Sequence, residues 1–111
     1  MESMGNNIML REFQLLLKEC MDNEKISRSI ILKKRINYIY SVLESNPICF
    51  YRHMEEFEYI SQKIKSSLEQ ISGSVNEDRE EICIMRIRRC INNLARLCSS
   101  NVDNNSENYY S

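Results

Sequence analysis

The most pointed polar motif of this sequence is Arg86-x-Arg88-Arg89. Guanidinium groups pair bidentately with carboxylates and phosphates, and they are the preferred cations at partly buried interfaces. At about 100° per helical residue, Arg86 and Arg89 share a face while Arg88 diverges. The three therefore do not form one phosphate-binding row. Acidic blocks in the same chain make carboxylates the expected partners, within the chain or across an interface. A plain solvated face and a nucleic-acid contact are the alternatives.

Catalytic chemistry is poorly supplied. His53 is the only histidine, which removes two-histidine metal sites, and its place between Phe50 and Phe57 sets it beside an apolar stripe, where a structural role is expected. Cys20, Cys49, Cys83, Cys90 and Cys98 form an odd set without framework spacing, and free, mostly buried thiols are expected. Along a helix Cys83 and Cys90 stand about 10.5 Å apart, whereas zinc holds its sulfurs at about 2.3 Å, so one ion cannot take Cys83, Cys90 and Cys98 together. Glu55-Glu56-x-Glu58 gathers carboxylates, but adjacent helical positions point apart, and an exposed acidic face is expected. Gly5 and Gly73 cannot build a G-x-x-x-x-G-K-[ST] phosphate loop. No catalytic, cofactor-binding or metal residue is assigned, and neither an enzyme activity nor a small-molecule substrate is expected.

Helices must position these groups, because two glycines and one proline leave few tight turns. The apolar periodicity predicts four, over about residues 8–21, 28–44, 47–71 and 77–98. Leu10, Phe13, Leu16, Leu17 and Cys20 mark the first. Ser27 is the expected cap of the second, which carries Leu32, Ile36, Ile39 and Leu43. Asn46-Pro47 opens the third, with proline at the first helical position, and Phe50, Met54, Phe57, Ile60, Ile64, Leu68 and Ile71 hold one face for about 35 Å. Gly73 is expected as a left-handed terminator and Ser74-x-x-Glu77 as a capping box for the fourth helix.

That fourth helix has two apolar seams, Ile84-Ile87-Ile91-Leu94-Cys98 and Cys83-Ile87-Cys90-Leu94-Leu97. Its apolar arc is wider than one neighbouring helix covers, so it is either central or shared with another chain. From Ser99 the sequence turns Asn- and Ser-rich without periodicity. The fold class expected is all-α, a four-helix bundle-like single domain over residues 1–98 with a polar flexible tail over 99–111.

A chain of 111 residues is one domain's worth. With 42% hydrophobic and 28% charged residues and a mean hydropathy of -0.48, it has the balance of a globular chain and not of a disordered or membrane one. A net charge of -1 supplies no global field toward nucleic acid or an anionic membrane. Apolar runs such as Ile82-Cys83-Ile84-Met85 fall far short of the roughly 20 residues of a membrane span, and Met1 to Gly5 lacks signal-peptide regions. An intracellular location without membrane attachment is expected. Charge is nevertheless blocked: Lys25, Arg28, Lys33, Lys34 and Arg35 meet no acid in residues 25–43, while Glu44, Glu55, Glu56 and Glu58 dominate residues 44–60. Such blocks suit helices docked on complementary faces, although solvated helices carry them too.

Met85-Arg86-Ile87-Arg88-Arg89-Cys90 resembles the Arg-Asn-Lys-Arg-Cys stretch in the helical domain of GINS-complex subunits of the partner-of-Sld-five-one type. The lead from Met1 to Leu10 and the spacing from Ile31 to Leu43 are similar too, so the resemblance covers about residues 4–98. The Sld-five type is a close rival, through Asn23-Glu24-Lys25-Ile26-Ser27 followed by Ile30-Ile31. Asn93-Leu94 stands where the family continues with an Ala-Tyr pair, and Cys20 lies where the rival type has a tryptophan. The small β-rich domain that both types append has no counterpart in residues 99–111, which are too short to form one.

The resemblance implies a non-catalytic, nuclear subunit that assembles with other GINS subunits and the replicative helicase in initiating and elongating DNA replication. Arg86, Ile87, Arg88, Arg89, Ile91 and Leu94 are then the expected partner interface: the arginines would pair with acids and the others would supply apolar contact. A weak or indirect DNA contact would run through Lys33-Lys34-Arg35 and the arginines. The alternative reading is a free-standing helical adaptor that holds a partner helix in a groove.

Overall fold

The computed structural model describes residues 2–73 and 76–102, with side chains placed within residues 8–99 of that span. The chain is all-α, and among the described residues there are six helices: α1 (Glu2–Asp22), α2 (Glu24–Ser27), α3 (Ile30–Ser45), α4 (Pro47–Arg52), α5 (Met54–Gly73) and α6 (Glu77–Val102). Four are long, as the periodicity predicts. The two short ones arise where the chain must change direction without losing a buried side chain.

The first redirection lies between α1 and α3. Asn23 closes α1 with its amide on Glu19 O at 3.1 Å, and its side chain caps α2 by accepting from the Lys25 amide at 3.1 Å. The single turn of α2 carries Ile26 to 0% exposure in the core. Ser27, expected to cap the second long helix, is instead the last residue of α2, and the cap is Ser29, whose hydroxyl accepts from the Leu32 amide at 3.2 Å. Burying Ile26 uses up the turn that contains Ser27, so the new axis begins two residues later.

The second redirection divides the helix expected over 47–71. His53 leaves helical geometry at φ -114° and ψ 26°, separating α4 from α5. In an unbroken helix Phe50 and Phe57 would stand about 10.5 Å apart along the axis. The break lets their rings stack at 5.2 Å between centroids, while Phe13 of α1 meets Phe57 edge-on at 5.2 Å and Phe50 at 5.8 Å. Aromatic pairs in these geometries gain beyond their buried area, which offsets one interrupted helical turn. His53 is left at the hinge, donating from Nδ1 to Glu56 Oε2 at 2.8 Å and lying edge-on to Phe57.

No described glycine has a positive φ, and Gly73 is simply the last residue of α5. Ser74 of the expected capping box lies outside the described residues. The N-terminus of α6 is capped by Asn76, whose side chain accepts from the Asp78 amide at 2.9 Å. The helix then continues to Val102, so residues 99–102 of the expected tail are helical. The remainder, residues 103–111, lies outside the described residues.

The breadth of the apolar arc on α6 has its explanation in its neighbours: α6 packs on α5 along one side and on α3 along the other. Cys83, Ile87, Cys90, Ile91, Leu94, Ala95 and Cys98 are all buried there. Within the chain, α3 and α5 between them cover this arc. The basic block reaches one described ion pair between elements, Lys25 of α2 with Glu80 in the first turn of α6. Tyr40 of α3 donates to the Gln14 carbonyl of α1 at 2.7 Å, fixing the two helices in register. No helix among the described residues is long and apolar enough to cross a membrane.

Candidate functional site

Residues expected to form a partner interface fall on opposite sides of α6. Ile87, Ile91 and Leu94 are each 0% exposed, packed within the chain's own core. They therefore cannot supply apolar contact to a partner in this fold. The physical reason is the double cover by α3 and α5, which encloses the seam that the sequence leaves open. Arg86, Arg88 and Arg89 are exposed, and none makes an ion pair among the described residues. The intramolecular pairing considered for them is not present among the described residues.

Arg86 and Arg89 line one groove between α5 and α6, and Arg88 lies outside it, as helical azimuth requires. This groove has a volume of about 350 Å³. Its α5 wall is Tyr59, Lys63, Ser66 and Ser67, and its α6 wall adds Cys90 and Asn93 to the arginines. Lys63 Nζ sits 4.7 Å from the centre of the Tyr59 ring, a cation–π contact that holds the amine at the groove wall. Burial pushes the Cys90 thiol up from its ordinary value, and the positive charge of Lys63 partly opposes this.

Ser67 is 3% exposed and lines the groove, the one polar side chain in the buried set of the described residues. Its position is legible in the sequence. Ile60, Ile64 and Ile71 mark the core face of α5 at steps of four and seven, and Ser67 occupies the position between them that another aliphatic residue would fill. A polar residue in core phase was the available signal. Lys63 and Tyr59 carried a weaker one, because an i, i+4 pair beside an apolar stripe is common on solvated helices.

The groove continues toward the other end of both helices. There Glu55 and Glu56 of α5 face Arg96 and Leu97 of α6, with Tyr59, Ile60 and Asn93 common to both parts. Since residues 55–60 lie opposite 93–97 and residues 63–67 lie opposite 86–90, the two helices run antiparallel. The channel is basic at one end, apolar in the middle and acidic on its α5 wall at the far end. Next to the arginines on the surface of α6 stand Ile82 and Met85, at 52% and 59% exposure, so an apolar pair adjoins the cationic pair of Arg86 and Arg89.

All five cysteines are free thiols and buried. They do not gather into one site: Cys49 and Cys98 face each other, and Cys20 neighbours Cys90. Among the described residues no group of three His, Cys, Asp or Glu side chains is placed to hold a metal ion. No family model, curated protein or solved structure matches this chain.

Proposed function

We propose that this chain is a non-catalytic assembly subunit that binds partner chains through the exposed face of α6 and the groove it shares with α5. In the family that its arginine motif resembles, such a subunit joins other GINS subunits and supports the replicative DNA helicase in the nucleus. One observation supports the reading above the rest: Arg86 and Arg89 lie exposed and without an ion-pair partner among the described residues, beside the exposed side chains of Ile82 and Met85. Arginine and methionine next to apolar surface are the composition of protein interfaces.

The test is recovery of the tagged chain from its native cell, with its companions identified by mass spectrometry. Arg89→Glu is expected to weaken the association by about 2 kcal/mol or more where the pairing is desolvated, and an unchanged Kd removes the assignment. A contribution from DNA within such an assembly would appear as a steep loss of affinity between about 50 and 200 mM salt.

A free-standing helical adaptor is the second reading. The enclosure of Ile87, Ile91 and Leu94 favours it, since the chain closes its own core. Size-exclusion mass separates the two readings. An adaptor runs as a cooperatively melting monomer, whereas an obligate subunit self-associates or precipitates when alone.

A further inference from the structure

We propose that the basic end of the α5–α6 groove is a receptor for a phosphate monoester, presented as phosphoserine on a partner polypeptide. The inference deepens the reading of this face as a docking surface and rests on it. Lys63, Arg86 and Arg89 bring three cations to one recess, and no acidic side chain lines that end. Ser67, a residue only 3% exposed, adds a hydroxyl to the lining of the same recess. A hydroxyl there can donate one further hydrogen bond to a ligand held by the cations.

The number and charge of the donors select the ligand. A carboxylate brings one negative charge and two oxygens. A phosphate monoester brings about -1.5 to -2 at pH 7 and three strong acceptor oxygens, which matches two guanidiniums, an ammonium and a hydroxyl. Arg88 plays no part, because it points out of the groove.

The far end of the groove selects the carrier. A nucleic-acid strand laid along the channel would bring further phosphates against Glu55 and Glu56, where Arg96 is the single cation against two acids. A polypeptide with a single phosphate avoids that repulsion and can answer the acids with a lysine. Glu56 stands about 10.5 Å along the α5 axis from Lys63, and an extended peptide covers about 3.3 Å per residue. The ligand is thus phosphoserine, then two residues that lie over Tyr59, Ile60 and Leu97, then a basic residue.

The experiment titrates the full chain, labelled with ¹⁵N, with the capped tetrapeptide phosphoserine-Leu-Ala-Lys. Its unphosphorylated form, orthophosphate and a ten-residue oligothymidylate serve as competing probes. The phosphopeptide is expected to move the Lys63, Ser67, Arg86 and Arg89 resonances and to bind about tenfold or more tightly than the unphosphorylated peptide. Arg86→Gln and Arg89→Gln should each weaken it by about tenfold, Ser67→Ala by a few fold, and Arg88→Gln not at all. Glu56→Gln should weaken the phosphopeptide and leave orthophosphate unchanged.

Affinity indifferent to phosphorylation or to Arg89→Gln, or no binding at millimolar peptide, overturns the receptor. Tighter binding of oligothymidylate or of orthophosphate overturns the peptide source. Thermal melts establish that each variant is folded, and the exposed arginine variants keep the test open should Ser67→Ala unfold. Lost phosphopeptide binding in a chain that still recovers its companions sinks this inference alone. Intact phosphopeptide binding without companions sinks the assembly reading alone.

Discussion

Cys49 of α4 and Cys98 in the C-terminal part of α6 face each other, both fully enclosed. The interaction between the two thiols holds Cys49 below the usual thiol range and, with burial, holds Cys98 well above it. The pair joins a six-residue helix to the longest helix of the chain. Cys98→Ala removes a fully enclosed sulfur packed against Cys49, and is expected to cost about 1–3 kcal/mol in urea unfolding. An unchanged midpoint would mean that α4 is held by Phe50 and not by the thiol pair.

Alkaline pH should loosen the fold through Cys20. Burial first, with Glu19 and Cys90 adding, pushes this thiol from an ordinary 9.0 to about 12. Between those values the folded state keeps a proton that the unfolded chain releases, so the unfolded state binds fewer protons and stability falls as pH rises. Tyr40, raised from 10.0 to about 12 chiefly by burial, acts in the same direction in the upper part of that window. Urea midpoints at pH 8 and pH 10.5 should differ for the native sequence, and the difference should shrink in Cys20→Ala. A parallel drop in both proteins would assign the effect elsewhere.

Ser29→Ala should cost about 1 kcal/mol, the usual value of an N-cap hydroxyl. Ser27→Ala should cost little, because the Ser27 hydroxyl makes only a long 3.5 Å contact with the Glu24 carbonyl. Equal losses from the two substitutions would restore Ser27 as the cap of the second long helix.

Phe57→Ala should be among the most damaging single changes, at about 3–5 kcal/mol. Its ring is fully buried and touches Phe13 and Phe50 in one cluster. The same measurement on Phe57→Leu separates lost volume from lost ring stacking: a cost of about 1 kcal/mol would leave stacking little part in holding α4 against α5.

Glu80→Gln should change stability by less than about 1 kcal/mol, with the difference vanishing in high salt. Its partner Lys25 is 42% exposed, and pairs open to water contribute little. A larger and salt-independent loss would make the α2–α6 ion pair a fixed element of the fold.

The repeat of apolar side chains at three and four residues determined the helical class, the four long elements and most of the buried set, from Phe13 through Ile36 and Ile64 to Leu94. These are local properties, carried by neighbours along one helix. Azimuth alone likewise separated Arg88 from Arg86 and Arg89. Tertiary structure decided what sequence periodicity cannot encode. Burial of Ile26 moved a cap from Ser27 to Ser29, three converging phenylalanines broke a helix at His53, and the paired cover of α3 and α5 turned Ile87, Ile91 and Leu94 from a candidate interface into core. Lys63 and Ser67 came to face Arg86 and Arg89 by the same route, because antiparallel packing joins residues about twenty positions apart, a separation at which the sequence carries no period to read.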